Sequence, residues 1–308
     1  MASPFFSIVL PTYNRAHLIE TAVKSVLSQT FSDWELIIVD DGSTDNTQKI
    51  INKFAASDQR IKYFYQENQE RSVARNNGIE KSTGQYICFL DSDDYYLKDK
   101  LASFLEAIHG QVTKALFYDA LAFETSGELG FFHLPLRKKE ETPHEFLLMN
   151  PLGALQLCIP AAALKLEQFN PTLHIGEDVE LWLRLANSYD FIAVNSNNTI
   201  AVEHEERSIN LLNDRQIKDI IKHYNFIFNK KNYGRKVMNK TKNKIYGRLF
   251  FNVAKIRMKQ SKKFQAIFWL LKSLFSYPKS ELNKHIFYCL KNLIFGKIPE
   301  QYQQRYKC

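Results

Sequence analysis

The sequence predicts an α/β fold in which helices flank a mostly parallel central sheet, followed by a mainly helical C-terminal extension. In the first hundred residues, short apolar runs alternate with segments of helical periodicity, which is the pattern of consecutive βαβ units. Apolar residues make up 45% of the chain and aromatic residues 13%, as in a well-packed globular protein. Near Glu206 the composition changes, and helical segments joined by Lys- and Asn-rich connections follow.

Strands and helices are predicted to alternate along the first part of the chain. Four apolar runs of strand length lie at residues 6–10, 35–40, 61–65 and 86–90. Apolar side chains at helical spacing predict intervening helices over residues 18–27, 45–55 and 73–81. Further along we expect a helix over 97–109, a strand over 115–123, a polar stretch over 124–145, a helix over 176–187 and a short strand over 192–194.

Charge divides the chain into two parts. Residues 1–205 contain 17 Lys and Arg against 28 Asp and Glu, whereas residues 206–308 contain 24 against 5. Such asymmetry suggests a catalytic body with a basic appendage directed at an anionic surface. We therefore predict a catalytic domain over 1–205 and a basic, mainly helical region over 206–308.

The cysteines and the N-terminal residues bear on the expected cellular location of the protein. Cys88, Cys158, Cys289 and Cys308 show neither metal-binding nor redox spacing, and reduced thiols are the simplest account. The first residues lack the basic start and the long apolar stretch of a signal peptide. No apolar run reaches the ~18 residues that a membrane-spanning helix needs. We expect a cytoplasmic protein.

Three carboxylates follow the fourth predicted strand. Asp91, Asp93 and Asp94 lie close together, and functional residues of parallel sheets are found at the carboxyl ends of the strands. Carboxylates so close repel one another unless a hard cation lies between them, and Mg²⁺ or Mn²⁺ is usually bound by one or two Asp together with substrate phosphates. Alternatively, Asp93 or Asp94 is only the N-cap of the next helix, which leaves two acids unexplained.

Two other strand ends are predicted to meet this cluster. Residues 11–14 (Pro-Thr-Tyr-Asn) follow the first strand, and residues 40–43 (Asp-Asp-Gly-Ser) follow the second. All three clusters then lie on one edge of a parallel sheet, where nucleotides bind in such folds. Each could separately be no more than a turn or a helix cap. Their coincidence on one edge favours a pocket.

The common phosphate-binding motifs are missing from this predicted pocket. Neither the Gly-x-Gly-x-x-Gly of dinucleotide folds nor the Gly-Lys-Ser/Thr of phosphate-loop enzymes follows the first strand. Without a glycine-rich loop, the charge of a diphosphate must be balanced by other groups. A cation on the acidic cluster is the candidate.

Taken together, these motifs resemble the family 2 glycosyltransferases of GT-A fold. The likeness lies in segments 6–14, 28–31, 34–45, 74–78, 84–94 and 176–185, which occur in the expected order. It covers about residues 5–205 and leaves the last hundred residues uncovered. The resemblance implies an enzyme of polysaccharide or glycolipid synthesis that transfers a sugar from a nucleotide donor, most often a UDP-sugar, to an acceptor hydroxyl with inversion at the anomeric carbon.

The resemblance also implies roles for individual residues. The nucleobase and ribose would be held by Pro11, Tyr13, Asp41, Asn68 and Arg75. Asp91 and Asp93 would bind the ribose and the metal-bound diphosphate, with Asp94 as the closest direct ligand of a Mn²⁺ or Mg²⁺ ion. His204 would complete the metal site or contact the diphosphate; otherwise it is an ordinary surface or core residue.

Asp178 matches the general base of the family. An inverting displacement needs a carboxylate on the face opposite the leaving group, and it should be separate from the metal-binding acids. Alternatively, Glu177 and Asp178 are first-turn acids that stabilise a helix dipole. Glu177 and Trp182 are further candidates for the acceptor or donor side, although Trp182 lies among leucines, as a core residue would.

Two helical segments of the basic region, over 262–275 and 285–295, combine aromatic and aliphatic side chains with lysines. Such helices can lie in the headgroup region of an anionic leaflet. We expect this region to dock peripherally on the inner face of a membrane, near a glycan or lipid-linked glycan acceptor. The alternative is a helical subdomain with solvated lysines. Nucleic acid is not an expected partner, because no recognition motif accompanies the lysines.

Two rival functions would keep the same fold. A nucleotidyltransferase usually needs a glycine-rich, basic loop after the first strand, where this chain has Pro-Thr-Tyr-Asn. A non-catalytic scaffold would be expected to have lost one of the acidic positions, and all of them are present.

Overall fold

The computed structural model describes residues 3–109, 114–204, 214–229, 232–233, 235–278 and 282–295. The chain forms two compact units, Met1–Asn210 and Leu211–Cys308. The domain boundary predicted at 205/206 lies outside the described residues.

The first seven elements alternate as predicted. They are β1 (Phe6–Thr12), α1 (Ile19–Leu27), β2 (Trp34–Asp40), α2 (Thr47–Ser57), β3 (Ile61–Tyr65), α3 (Glu70–Lys81) and β4 (Tyr86–Phe89). The elements that follow in this unit are β5 (Tyr95–Tyr96), α4 (Lys100–His109), β6 (Ala115–Tyr118), β7 (Leu121–Thr125), β8 (Glu128–Phe131), α5 (Pro143–Met149), β9 (Leu157–Pro160), α6 (Ala161–Leu166), α7 (Glu177–Leu185), β10 (Asp190–Ala193) and β11 (Thr199–Val202).

Seven strands form the central sheet in the order β10-β6-β9-β4-β1-β2-β3. β1 pairs in parallel with β2 and β4, β2 with β3, and β6 with β10, which confirms the predicted mostly parallel sheet. β9 is antiparallel to both β4 and β6 and was not predicted. It is only four residues long, too short for its periodicity to distinguish a strand from other structure.

A second sheet has the order β5-β11-β7-β8. The single strand predicted over 115–123 is wrong, because β6 and β7 are separate and belong to different sheets. Asp119 lies at the break between the two strands. Its carboxylate is fully buried and accepts hydrogen bonds from Lys100 and Thr199, which hold the chain in the turn at this position. The stretch over 124–145, expected to be merely polar, contains β8 and the start of α5.

The core of the first unit lies on both sides of the central sheet. All seven residues of β2 are buried, as expected of a parallel strand covered on both faces by helices. The helix α3 packs against the sheet through Gly78, where an added Cβ would lie 2.4 Å from Val9 Cγ1. A glycine is therefore required for the close approach of α3, which carries Arg75 to the sheet edge.

The described part of the second unit is helical, as predicted. Its helices are α8 (Asp214–Ile227), α9 (Asn239–Lys259), α10 (Lys263–Ser276) and α11 (Leu282–Phe295). Two apolar clusters hold them together: one joins α8 to α9 around Ile217 and Phe250, and the other joins α9, α10 and α11 around Leu270 and Ile286. Among the described helices, none is long and apolar enough to cross a bilayer.

Candidate active site

The ends of β1, β2 and β4 meet at one edge of the sheet, which confirms the predicted convergence of the three clusters. The loops after β1 and β2 bind each other directly. The Asp41 amide donates to the Thr12 carbonyl (2.8 Å), and the Asn14 amide donates to Ser43 Oγ (2.8 Å). Asn14 has a φ of 50°, a conformation that Asn tolerates, and its Oδ1 accepts a hydrogen bond from the Thr44 amide. These bonds hold the two loops in one arrangement.

Four of the five residues expected to hold the nucleoside, all except Arg75, lie around these loops. Asp41 is 4% exposed, and its Oδ1 accepts hydrogen bonds from Gln66 Nε2 (2.7 Å) and from the Gln69 amide (2.9 Å). Gly42 has a φ of 86° and lies against Asn68. Tyr13 is an exposed aromatic side chain beside them, and Pro11 is half-buried. Tyr13 thus offers an exposed aromatic ring at the end of β1; the nucleobase contacts themselves stay a prediction.

Arg75 joins two acidic positions that are distant in sequence. Its guanidinium donates to Asp91 Oδ1 (2.9 Å) and to Glu177 Oε1 (3.1 Å), and lies 5.3 Å from the ring centre of Phe169. Burial alone would lower the pKa of Arg75, but Asp91 and Glu177 together raise it above its ordinary value, so the residue stays charged. Its hydrogen bonds run to protein carboxylates, which makes Arg75 a positioning residue between the β4 loop and α7.

The helix α7 begins at Glu177, directly after Gly176, which has the left-handed φ of 75° that glycine adopts without strain. Glu177 is 4% exposed and accepts from Arg71 Nε (2.9 Å) as well as from Arg75. Asp178 is half-buried, and its Oδ1 accepts from the Val179 amide (2.8 Å). Both acids do lie in the first helical turn, so the helix-dipole interpretation is correct and is compatible with a catalytic role for Asp178.

The electrostatic surroundings of Asp178 suit proton transfer near neutral pH. Burial raises the pKa of Asp178 to about 6; the neighbouring Glu177 charge contributes to the rise, while Arg75 opposes it. A carboxylate with a pKa just below neutrality is mostly ionised at pH 7, yet more basic than an ordinary aspartate. Asp178 can therefore accept a proton from a hydroxyl group.

The loop after β4 separates its acids. Asp93 Oδ2 lies 3.1 Å from His204 Nε2, and both side chains are about one-fifth exposed. Asp94 is 1% exposed, and its Oδ1 accepts from the Val202 amide (2.9 Å). The alternative that Asp93 or Asp94 caps the next helix is wrong, because β5 follows the loop and α4 begins only at Lys100.

This placement does not support Asp94 as the direct metal ligand, because its carboxylate ties the loop to β11 and is nearly inaccessible. Asp93 and His204 are the accessible pair. Within the part of the chain that the structure describes, no group of three or more His, Cys, Asp or Glu side chains is arranged to hold a metal ion. A cation here would need ligands from a bound substrate.

Trp182 does not contribute to the pocket surface. The side chain is fully buried, packs against Phe169 and donates from Nε1 to the Leu152 carbonyl (2.9 Å). The acceptor-side role considered for Trp182 is therefore wrong, and the core role suggested by the surrounding leucines is correct. Glu177, the other such candidate, is buried against the two arginines.

One buried ion pair beneath the site escaped the sequence analysis. Lys100 and Asp119 are both fully buried, with Nζ 2.6 Å from Oδ1, and Thr199 Oγ1 also donates to this carboxylate oxygen (2.7 Å). These contacts fix the start of β11, the strand that leads to Val202 and His204. The sequence feature that could have revealed the pair is the position of Lys100 among the apolar residues of an amphipathic helix. A lysine in such a helix is usually taken to be exposed to solvent.

Comparisons with known proteins identify the family of this chain. The sequence profile of Glycosyl transferase family 2 matches residues 7–150. TuaG of Bacillus subtilis, provisionally assigned to teichuronic acid biosynthesis, is 35% identical over 202 residues, which are 64% of this chain and 78% of TuaG. This chain belongs to glycosyltransferase family 2. Another relative, the Escherichia coli UDP-Glc:alpha-D-GlcNAc-diphosphoundecaprenol beta-1,3-glucosyltransferase WfgD, is 31% identical over 191 residues, 61% of this chain and 72% of WfgD.

Solved structures of other glycosyltransferases have the same fold as this chain. A fragment of S. aureus TarS in complex with UDP-GlcNAc has a TM-score of 0.65 at 19% identity, covering 95% of this chain and 92% of the fragment. The mannosyltransferase PcManGT from Pyrobaculum calidifontis, in complex with GDP-Man and Mn²⁺, has a TM-score of 0.54 at 13% identity, covering 100% of this chain and 84% of PcManGT. The GT-A fold and the glycosyltransferase class expected from the sequence are confirmed.

Proposed function

We propose that this family 2 enzyme transfers a sugar from a UDP-sugar to a hydroxyl group of a lipid-linked glycan, with inversion at the anomeric carbon. The observation that carries the proposal is the Arg75 bridge, which links the acidic loop after β4 to the start of α7. The bridge brings the loop that carries the proposed diphosphate-binding carboxylates close to the helix start that carries the proposed base. The names of two similar proteins support the substrates: TarS is bound to UDP-GlcNAc, and WfgD uses UDP-Glc and a diphosphoundecaprenol acceptor.

The proposed reaction uses Asp178 as the general base. The acceptor oxygen attacks the anomeric carbon while its proton passes to the Asp178 carboxylate, and the bond from that carbon to the β-phosphate oxygen breaks. UDP then leaves with an additional negative charge. Arg75 and Arg71 hold Glu177 and therefore the first turn of α7, so that Asp178 keeps one position as the acceptor approaches.

Asp93 and His204 fit a divalent cation shared with the donor. Two neighbouring ligands of one octahedral ion lie about 3 Å apart when each is about 2.1 Å from it, and Asp93 Oδ2 and His204 Nε2 are separated by 3.1 Å. The Asp93 carboxylate is a ligand type that suits Mn²⁺, and two protein ligands leave room for diphosphate oxygens. When bound, such an ion would offset the charge that develops on the departing diphosphate.

The base assignment is tested with Asp178→Asn, which keeps the shape and removes the proton acceptor. We expect transfer to fall by about 10²-fold or more, while UDP affinity measured by calorimetry stays close to that of the wild type. Asp190→Asn, at an exposed position of β10, is the matched control and should leave both quantities unchanged. Equal loss of UDP binding and of transfer in Asp178→Asn would mean that Asp178 holds the donor.

The cation assignment is tested by UDP affinity, which does not depend on turnover. We expect Mn²⁺ to strengthen UDP binding, and we expect Asp93→Asn and His204→Ala each to reduce this gain about tenfold or more. His133→Ala, an exposed histidine outside the site, is the control. Identical UDP affinity with and without Mn²⁺ in the wild type would overturn the cation proposal and leave the base assignment standing.

A further inference from the structure

The helix α10 carries large apolar side chains on its exposed face. Phe264, Phe268, Leu271 and Phe275 are 87%, 55%, 40% and 80% exposed, respectively. Their spacing of four, three and four residues places all four side chains along one side of the helix. Isolated exposed apolar side chains are common on proteins, but a continuous stripe of this kind marks an interaction surface.

Packing within the second unit does not require this stripe. The opposite side of α10 is buried through Ala266, Leu270 and Ser273, and Ser273 Oγ donates to the Gly247 carbonyl of α9 (2.7 Å). Small side chains on this side let α10 approach α9 closely. The helix is therefore already anchored, and its exposed stripe has a role other than holding the unit together.

Lysines accompany the exposed apolar side chains. Lys272 is exposed; its Nζ lies 5.0 Å from the ring centres of Phe250 and Trp269 and 5.6 Å from that of Phe268 at the edge of the stripe. On α11, Phe287 and Ile294 are more than half exposed and seven residues apart. Lys284 and Lys291, three residues before each of them, are exposed as well. The same association of apolar and cationic side chains thus occurs on two helices.

We propose that the exposed side chains of α10 and α11 dock on the surface of an anionic lipid bilayer. A helix of 14 residues is too short to cross the ~30 Å apolar core, so it would lie in the headgroup region with its phenylalanines inserted. The lysines are suited to anionic lipid phosphates, each strengthening binding about fivefold. Symmetric pairing of this surface with its equivalent on a second copy fits less well, because residues 206–308 carry 24 basic against 5 acidic residues and two such surfaces repel.

This inference rests on the proposed function in one respect, since a lipid-linked acceptor would lie in such a bilayer. Its test is independent of turnover. The 308-residue chain is floated with vesicles of phosphatidylcholine alone and with vesicles containing equal parts of phosphatidylcholine and phosphatidylglycerol. Phe264→Gln combined with Phe275→Gln removes the two most exposed phenylalanines, and Leu166→Gln removes a leucine of α6 that is 83% exposed in the first unit.

We expect the wild type and Leu166→Gln to float with the anionic vesicles at low salt. The double variant should bind about tenfold or more weakly, and salt should weaken wild-type binding. Absence of flotation with anionic vesicles, or equal flotation of the double variant, overturns the docking surface. The docking surface is also overturned if sedimentation shows that the stripe joins two copies of the chain and the protein does not bind the vesicles. Asp178→Asn should float like the wild type, which separates failure of docking from failure of the proposed reaction.

Discussion

The pKa of Asp178 leads to a quantitative prediction for the pH dependence of transfer. With a pKa of about 6, roughly one-tenth of Asp178 is ionised at pH 5 and about nine-tenths at pH 7. The kcat/KM should therefore fall about tenfold between pH 7 and pH 5. An aspartate with the ordinary value of 3.8 would stay more than about nine-tenths ionised at pH 5. The two cases therefore differ by about an order of magnitude at one measurable pH.

The charges around Asp178 also allow the cause of its raised pKa to be tested. Glu177 raises its pKa, whereas Arg75 and Arg71 lower it. Glu177→Gln removes the unfavourable negative charge but keeps an oxygen that can accept hydrogen bonds from the two arginines. The acid limb of the kcat/KM profile should therefore move to lower pH in this variant.

The assay is UDP release measured over pH at fixed metal concentration, with UDP binding followed in parallel so that donor affinity can be separated from proton transfer. An acid limb near pH 4 in the wild type would refute the reasoning. So would a limb that moves to higher pH in Glu177→Gln.

Two further predictions concern stability, measured by denaturant unfolding. Gly78→Ala should cost about 1–3 kcal/mol, because the new Cβ would overlap Val9; Gly130→Ala, with its nearest neighbour at 3.8 Å, should change stability by less than about 0.5 kcal/mol. Lys100→Met should cost about 3–5 kcal/mol by leaving Asp119 buried without its cation, and adding Asp119→Leu should recover much of this loss. If Gly78→Ala unfolds like the wild type, the close packing of α3 on Val9 is contradicted. If adding Asp119→Leu to Lys100→Met recovers no stability, the role of the buried ion pair is contradicted.

Much of the first unit could be predicted from local patterns. The strands β1 to β4 are apolar runs bounded by polar turns, and the intervening helices show their own periodicity, so each element is encoded by the residues that form it. Once these strands are parallel and adjacent, their carboxyl ends must share one edge. The position of Asp91, Asp93 and Asp94 at this edge of the sheet therefore followed from the sequence, as did the placement of Asp178 in a first helical turn.

The division of work among these residues depended on partners distant in the chain. Asp93 and Asp94 are adjacent in sequence, yet one lies beside His204 and the other is buried against the Val202 amide, because β11 returns next to the loop. Arg75, which the family resemblance places at the nucleoside, forms ion pairs with Asp91 and Glu177, and its contact with a nucleoside stays a prediction. No local pattern specifies which of two neighbouring carboxylates will meet a strand that arrives a hundred residues later.

The sequence by itself determined the family, the alternating elements and the acidic edge of the sheet, because these depend on short-range periodicity and on motifs within single segments. It also predicted the two basic helical segments, over 262–275 and 285–295, that combine aromatic side chains with lysines. Only the tertiary structure decided that β9 runs antiparallel, that Lys100 and Asp119 form a buried pair, and that Phe264 and Phe275 share an exposed side of α10. These features arise from packing between distant segments, where burial and hydrogen bonding select one arrangement among several that the local sequence permits.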